Sequence, residues 1–318
     1  MKAMKAVCIY AFGGPEKLVY EDAPCPHPAD GEVLVRVHAA GINPVDWKIR
    51  EGHLEAMLHH TLPLILGWDV SGVVESLGTN LVRLKVGDEV FSLPDIARDG
   101  AYAEYIVIKE SDVALKPRSI DHIHAAGLPL AGLTAWQTLF DAAGLSSGQR
   151  VLIHAAAGGV GSVAVQLAKW KGACVIGTAS ERNHDFLRKL GVDQVVDYER
   201  ERFEEAVEPV DVVLDTLGGD TQERSWKVLK PGGILVSIAS PPSKEKAATG
   251  GFREAFVFTK PNAPQLDQIS KLVDSEKLKA IVETVMPLSD ATRAQELSER
   301  GHTRGKIVLR VVQNENEA

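Results

Sequence analysis

Apolar and polar positions along the chain fall into two textures. Up to about residue 120 they alternate in short runs. Glu32–His38 (EVLVRVH) and Glu104–Ile108 alternate, and Val70–Ser76 and Asp88–Phe91 are further short strands. Turn residues separate them at Gly13-Gly14-Pro15, Pro24–Asp30, Gly41–Pro44 and Gly87-Asp88. Short strands at this spacing predict a small β-rich barrel or sandwich. From Asp121 the texture changes. His124–Gly144 reads as one apolar, helix-like stretch, and from Val151 strands and helices alternate. The strands predicted are Val151–His154, Ala173–Gly177, Gln194–Val196, Asp211–Asp215 and Ile234–Ile238. The helices predicted are Val160–Lys171, Arg182–Leu190, Thr221–Leu229 and Gln265–Ser275. That alternation predicts an α/β domain with a doubly wound parallel sheet. Ser240–Gly250, rich in Pro, Ser, Lys and Gly, reads as a mobile loop. After Leu278 the β texture returns, and Lys306–Val312 (KIVLRVV) is expected to rejoin the first domain. The expected division is therefore residues 1–121 with 279–318, and residues 122–278.

Composition narrows the class. A chain of 318 residues exceeds one ordinary core, so two domains are expected. The net charge is -8, with no clustered basic surface to hold a nucleic acid. The stretch Glu199–Glu205 alternates in sign and reads as a solvated face. Three scattered cysteines, Cys8, Cys25 and Cys174, form no CxxC pair, so neither a disulfide framework nor a structural zinc site is expected. No apolar run approaches the roughly 20 residues of a membrane span. The N-terminal apolar stretches are too short for a secretory signal, and a reducing cytoplasm is the expected location.

The strongest motif is Ala155-Ala156-Ala157-Gly158-Gly159-Val160-Gly161. It follows a predicted strand and opens a predicted helix, the context a dinucleotide-binding turn requires. Gly158 would let backbone approach a pyrophosphate, and Gly161 would let helix and strand pack closely. N–H groups of the first helical turn, Gly159 and Val160 included, would face the phosphate oxygens. At the tip of the second strand an acidic residue would select a free ribose 2′-OH. Here Ala179 stands at that position, and Ser180 and Arg182 follow as candidate donors to a 2′-phosphate. NADPH is therefore the expected cofactor. Glu181 would weaken that preference if its side chain turned inward.

Gly148-Gln149-x-x-Leu152-x-x-x-Ala156-Ala157-Gly158-Gly159-x-Gly161-x-x-x-x-Gln166-x-x-Lys169 resembles the signature of the quinone oxidoreductase (zeta-crystallin-like) and enone reductase family of medium-chain dehydrogenases/reductases. Supporting blocks follow in family order: Ala40–Asp46, Gly67–Gly72, Gly87–Val90, Gly100–Tyr105, Gly132–Ala135, Pro231–Gly233 and His302-x-x-Gly305-Lys306. The resemblance implies a GroES-like catalytic domain, a Rossmann domain and an active site in the cleft between them. It also implies Thr134 near the nicotinamide, Tyr198 near the adenine, Ser240 at the carboxamide and Lys306 as a family lysine of the cofactor site. A homodimer is implied too, and Glu254–Thr259 (EAFVFT) is strand-like enough to be its edge.

Zinc-dependent relatives would need Cys, His and a third soft ligand. By that resemblance the Cys position holds Asn43, the His-Glu position holds Trp68-Asp69, and the four-cysteine lobe is missing. No metal is expected. Hydride transfer to a quinone or an enone builds negative charge on an oxygen, which must then be met by a hydrogen-bond donor or a cation. The segment Asn43-Pro44-Val45-Asp46-Trp47-Lys48 offers both and matches the Asn-Pro-x-Asp-x-Lys pattern of enone reductases. Lys48 is the expected electrophile and Asn43 a candidate amide donor. Asp46 is expected to hold the loop, and Tyr102 and Tyr105 to be barrel residues. Two other readings stay open: a zinc-free alcohol or aldehyde reductase, and an NADPH-binding sensor or structural protein without turnover.

Overall fold

The computed structural model describes residues 3–312. Residues 1–2 and 313–318, at the outer ends of the first expected domain, lie outside the described residues. The chain divides into two compact units, Met1–Leu130 with Lys260–Glu276 and Ala280–Ala318, and Ala131–Thr259 with Lys277–Lys279.

The first unit is built around the long strand Glu32–Ile42. It pairs antiparallel with Val70–Leu77, with Tyr105–Lys109 and, at its far end, with Lys306–Arg310. Val33, Val35, Val37 and Ala39 are fully buried along one face of the pleat. A smaller sheet of Val19–Pro24, Ala3–Ile9 and Leu64–Ile65 joins the first through Val7 N–H to Tyr102 O and Glu104 N–H to Lys5 O. Together they form the β-rich, GroES-like fold.

The second unit holds six parallel strands. Their spatial order is Gln194–Asp197, Cys174–Ala179, Arg150–Ile153, Val210–Asp215, Leu229–Ser237 and Arg253–Phe256. In sequence terms this is third, second, first, fourth, fifth, sixth, the Rossmann order, which reverses beside the first strand. The central runs are buried on both sides, as in Val151, Leu152, Ile153 and Val212, Val213, Leu214, so they appear in the sequence as continuous apolar segments.

Four expectations need correction. The stretch His124–Gly144 is broken at Gly127-Leu128 into helices His122–Ala126 and Pro129–Trp136, followed by a wide turn over Gln137–Ala142. Ser240–Gly250 is no loop throughout: Ser243 caps Lys246 N–H and starts the helix Lys244–Gly250. The chain after Leu278 is not all β, since Ala291–Glu299 is helical and buries Ala291, Ala294 and Gln295. The helix Ala263–Asp274, assigned from the sequence to the second domain, belongs to the first unit, where Asp274 accepts from Ser119 N–H and Oγ.

Candidate functional site

In the second unit the glycine turn leaves the carboxyl end of Arg150–Ile153 and enters the helix Gly159–Trp170. Gly158 is the N-cap, and no side chain caps it. The first N–H groups of an α-helix have no acceptor four residues back, so this end presents free donors and the positive end of the helix dipole. Gly161 is packed against backbone: a Cβ there would stand 2.3 Å from Ala155 O and 2.7 Å from Ala156 Cα. This is the close approach that an anion-holding turn needs. The fit to a dinucleotide pyrophosphate rests on that contact and the uncapped helix end.

The neighbouring strands bring the other candidates to the same edge of the sheet. Gly177 pairs in register with Ile153, and Ala179 with Asp197. Ser180 and Arg182 therefore leave the sheet beside the glycine turn, and exposed Tyr198 leaves it one strand further on. Glu181 turns to Arg200, whose guanidinium grips it at 2.5 and 3.2 Å. Its carboxylate is thus paired, at the exposed surface, with a residue that the sequence pattern hid within an alternating charged stretch. Ser240 follows the fifth strand. Its carbonyl accepts from Gln222 Nε2 at 2.9 Å, and Gln222 also donates to buried Asp215 at 3.0 Å. Asp215 in turn accepts from Ser237 Oγ and from Leu217 and Gly218 N–H, so the Ser240 turn is tied to the sheet end. Thr134 is buried, with its hydroxyl 2.7 Å from that of Thr259.

Asn43, Lys48 and Lys306 belong to the first unit. Asn43 caps the helix Pro44–Arg50 and is itself locked. Its Nδ2 donates to Asp69 at 2.9 Å, and its Oδ1 accepts from Lys306 Nζ. This fixes the amide orientation, because only oxygen can face the ammonium and only nitrogen the carboxylate. Lys306 Nζ also donates to Ile42 O at 2.7 Å and Asp69 at 3.0 Å, so its three donors are all engaged in a buried cluster. Lys306 therefore neutralises Asp69, and it has no donor left for a cofactor in this arrangement. Asp46 is fully buried and accepts from Asn43 N–H at 2.7 Å and Tyr102 O–H at 2.6 Å. Burial pushes its carboxyl up to about 7, against the lowering effect of those bonds and of Lys306. Burial, then Asp46, raises the Tyr102 phenol far above its usual range, so it stays a neutral donor. Lys48 is half-buried, its ammonium 5.6 Å from the Trp47 ring centroid.

The residues at the zinc positions do not fit a zinc ion. Trp68 is fully buried and donates Nε1–H to Arg98 O, and Asn43 and Asp69 are engaged with each other and with an ammonium. Among the described residues no group of three or more His, Cys, Asp or Glu side chains is placed to hold a metal ion. Soft or imidazole donors, which catalytic zinc requires, are absent from the set.

Residues 29–118 match the alcohol dehydrogenase GroES-like domain, and residues 190–309 match the zinc-binding dehydrogenase domain. The chain is 34% identical to the human mitochondrial NAD(P)H oxidoreductase RTN4IP1, covering 88% of this chain and 82% of that protein. It is 36% identical to the chloroplastic NADPH-dependent alkenal/one oxidoreductase of Arabidopsis thaliana, covering 97% and 80%. Among solved structures, the quinone oxidoreductase of Coxiella burnetii superposes with a TM-score of 0.93 at 40% identity, covering 98% of this chain and all of that one. The human and plant relatives carry mitochondrial and chloroplastic locations in their names, which overturns the expectation of a cytoplasmic protein.

Proposed function

The chain belongs to the zinc-independent medium-chain dehydrogenases/reductases of the quinone and enone reductase type, and from that premise we propose that it passes hydride from NADPH to a quinone or an α,β-unsaturated carbonyl. An NAD(P)-dependent oxidoreductase follows from the family itself. The observation that carries the choice of cofactor is the pairing of Glu181 with Arg200 beside Ala179. No unpaired carboxylate then stands at the second strand tip to repel a 2′-phosphate, while Ser180 and Arg182 supply donors there. The names of the Arabidopsis and Coxiella relatives support an enone or a quinone as acceptor.

NADPH supplies the hydride when bound. The glycine turn would hold its pyrophosphate with the N–H groups of Gly159, Val160 and Gly161, and Gly158 would leave room for the approach. Tyr198 would flank the adenine, and Ser240 and Thr134 would meet the nicotinamide end. On the acceptor side Lys48 meets the carbonyl oxygen as it gains negative charge, in place of a metal ion. Asn43 has one amide N–H left beyond its bond to Asp69, and that hydrogen is its contribution to holding the acceptor. The test is steady-state NADPH oxidation with 1,4-quinones, 2-alkenals and alkenones, comparing wild type with Lys48→Met. Turnover in the variant should fall by about 100-fold or more. Unchanged turnover removes Lys48 from the mechanism.

A further inference from the structure

Behind the glycine turn runs a chain of buried hydrogen bonds that none of the assigned roles uses. Ala155 opens the turn at φ +47°, a left-handed backbone uncommon for a residue with a Cβ. Its carbonyl oxygen is the atom packed against Gly161. The helix can approach in this way only while Ala155 keeps that conformation. Ala155 N–H donates to Thr178 Oγ1 at 3.2 Å, and Ala156 N–H donates to Thr178 O at 3.0 Å. Thr178 Oγ1 lies 3.2 Å from His154 Nδ1. His154 Nε2 lies 2.9 Å from Ser225 Oγ, which donates to Thr221 O at 2.7 Å. His154, Thr178 and Ser225 are all buried.

Donor and acceptor counting sets the direction of the chain. Ser225 gives its one hydroxyl hydrogen to Thr221 O, so its oxygen accepts from His154 Nε2–H. Nδ1 then keeps its lone pair and accepts the Thr178 hydroxyl, whose oxygen accepts Ala155 N–H. Burial, with Arg224 nearby, holds the imidazole down to about 4 against the opposing pull of Asp215, so the ring stays neutral. The Phe203 ring packs edge-on against it, the ring centroids 4.7 Å apart.

We propose that His154, acting through Thr178, is a positioning residue for the dinucleotide turn. It holds Ala155 left-handed and so fixes the N–H groups of the first helical turn in place. This rests on the reading that the turn holds NADPH.

The experiment is fluorescence titration of the full-length protein with NADPH, for wild type, Thr178→Val, Thr178→Ser and His154→Phe. Melting of each protein without cofactor and the KM for the acceptor at saturating NADPH accompany it. Thr178→Val and His154→Phe should weaken NADPH binding by about three- to tenfold, the worth of a lost neutral hydrogen bond. Thr178→Ser, which keeps the hydroxyl, should bind as wild type, and the acceptor KM should stay unchanged in all four. If His154→Phe does not fold, the Val and Ser variants at Thr178 carry the comparison alone. Unaltered NADPH affinity in Thr178→Val, whether or not its melting temperature drops, overturns the proposal. Wild type that binds no NADPH overturns instead the dinucleotide reading beneath it.

Discussion

Asp46 has one carboxylate oxygen accepting two hydrogen bonds and the other, Oδ1, without a partner in a fully buried site. Its proton is therefore held more tightly in the folded chain than in the unfolded one, up to about 7 against an ordinary 3.8. A raised carboxyl pKa contributes stability that is fully present below about 4 and lost as pH rises through about 7. Chemical denaturation of wild type should therefore show a loss on the order of 2–3 kcal/mol from this group between pH 5 and 8. Asp46→Asn should narrow that difference, and an unchanged difference would contradict the assignment. At this scale the sequence was legible in residue type more than in partner. The pattern Asn43-Pro44-Val45-Asp46-Trp47-Lys48 marks a segment that the structure shows as a helix start, with Asn43 at its N-cap and Asp46 buried. It did not reveal that Lys306, 263 positions beyond Asn43 and 237 beyond Asp69, would face both. Such pairings depend on how distant strands meet, as Ile307 does with Ile42. His154 and Arg200 escaped for a related reason. Each looks ordinary until its partner, Thr178 for His154 and Glu181 for Arg200, is brought beside it by the parallel register.

Among elements, the strands of the parallel sheet were the most readable, because burial on both faces leaves an unbroken apolar run such as Val151–Ile153. The short polar helices were the least readable. Lys244–Gly250 buries only Ala247, and Ala291–Glu299 buries two alanines and a glutamine, too little apolar periodicity to stand out. Their signals lie in the caps, as with Ser243. The edge strand Arg253–Phe256 is shorter than the segment Glu254–Thr259 suggests, yet it ends the six-stranded sheet with one side of its ladder unpaired. Phe256 and Phe258 are exposed there. An open edge carrying exposed aromatic side chains is a template for strand addition, and we propose a second copy of this chain as the strand's partner. Light scattering should give the mass of a dimer, and Glu254→Pro, which removes an N–H on the open side of the strand (Val257 N–H, of opposite parity, donates inward to Ser237 O), should shift the population toward monomer. A monomeric wild type would contradict the pairing.

For the molecule as a whole, the sequence showed that the chain's end returns to β texture, and the structure gives Lys306–Arg310 as a strand beside Glu32–Ile42. The helix Ala263–Asp274 was assigned to the wrong unit because amphipathic periodicity says a helix has a buried face without saying which domain buries it. The proposed enzyme holds NADPH at its glycine turn and passes the hydride to an acceptor whose developing negative charge meets protein hydrogen-bond donors in place of a metal. The most direct measurement is the rate of NADPH and of NADH oxidation at 340 nm by protein dialysed against a strong chelator, with a quinone and an alkenone as acceptors. The account predicts full activity after chelation and a higher kcat/KM with NADPH than with NADH. Activity that disappears with the chelator and returns with zinc, or an NADH preference, would contradict it.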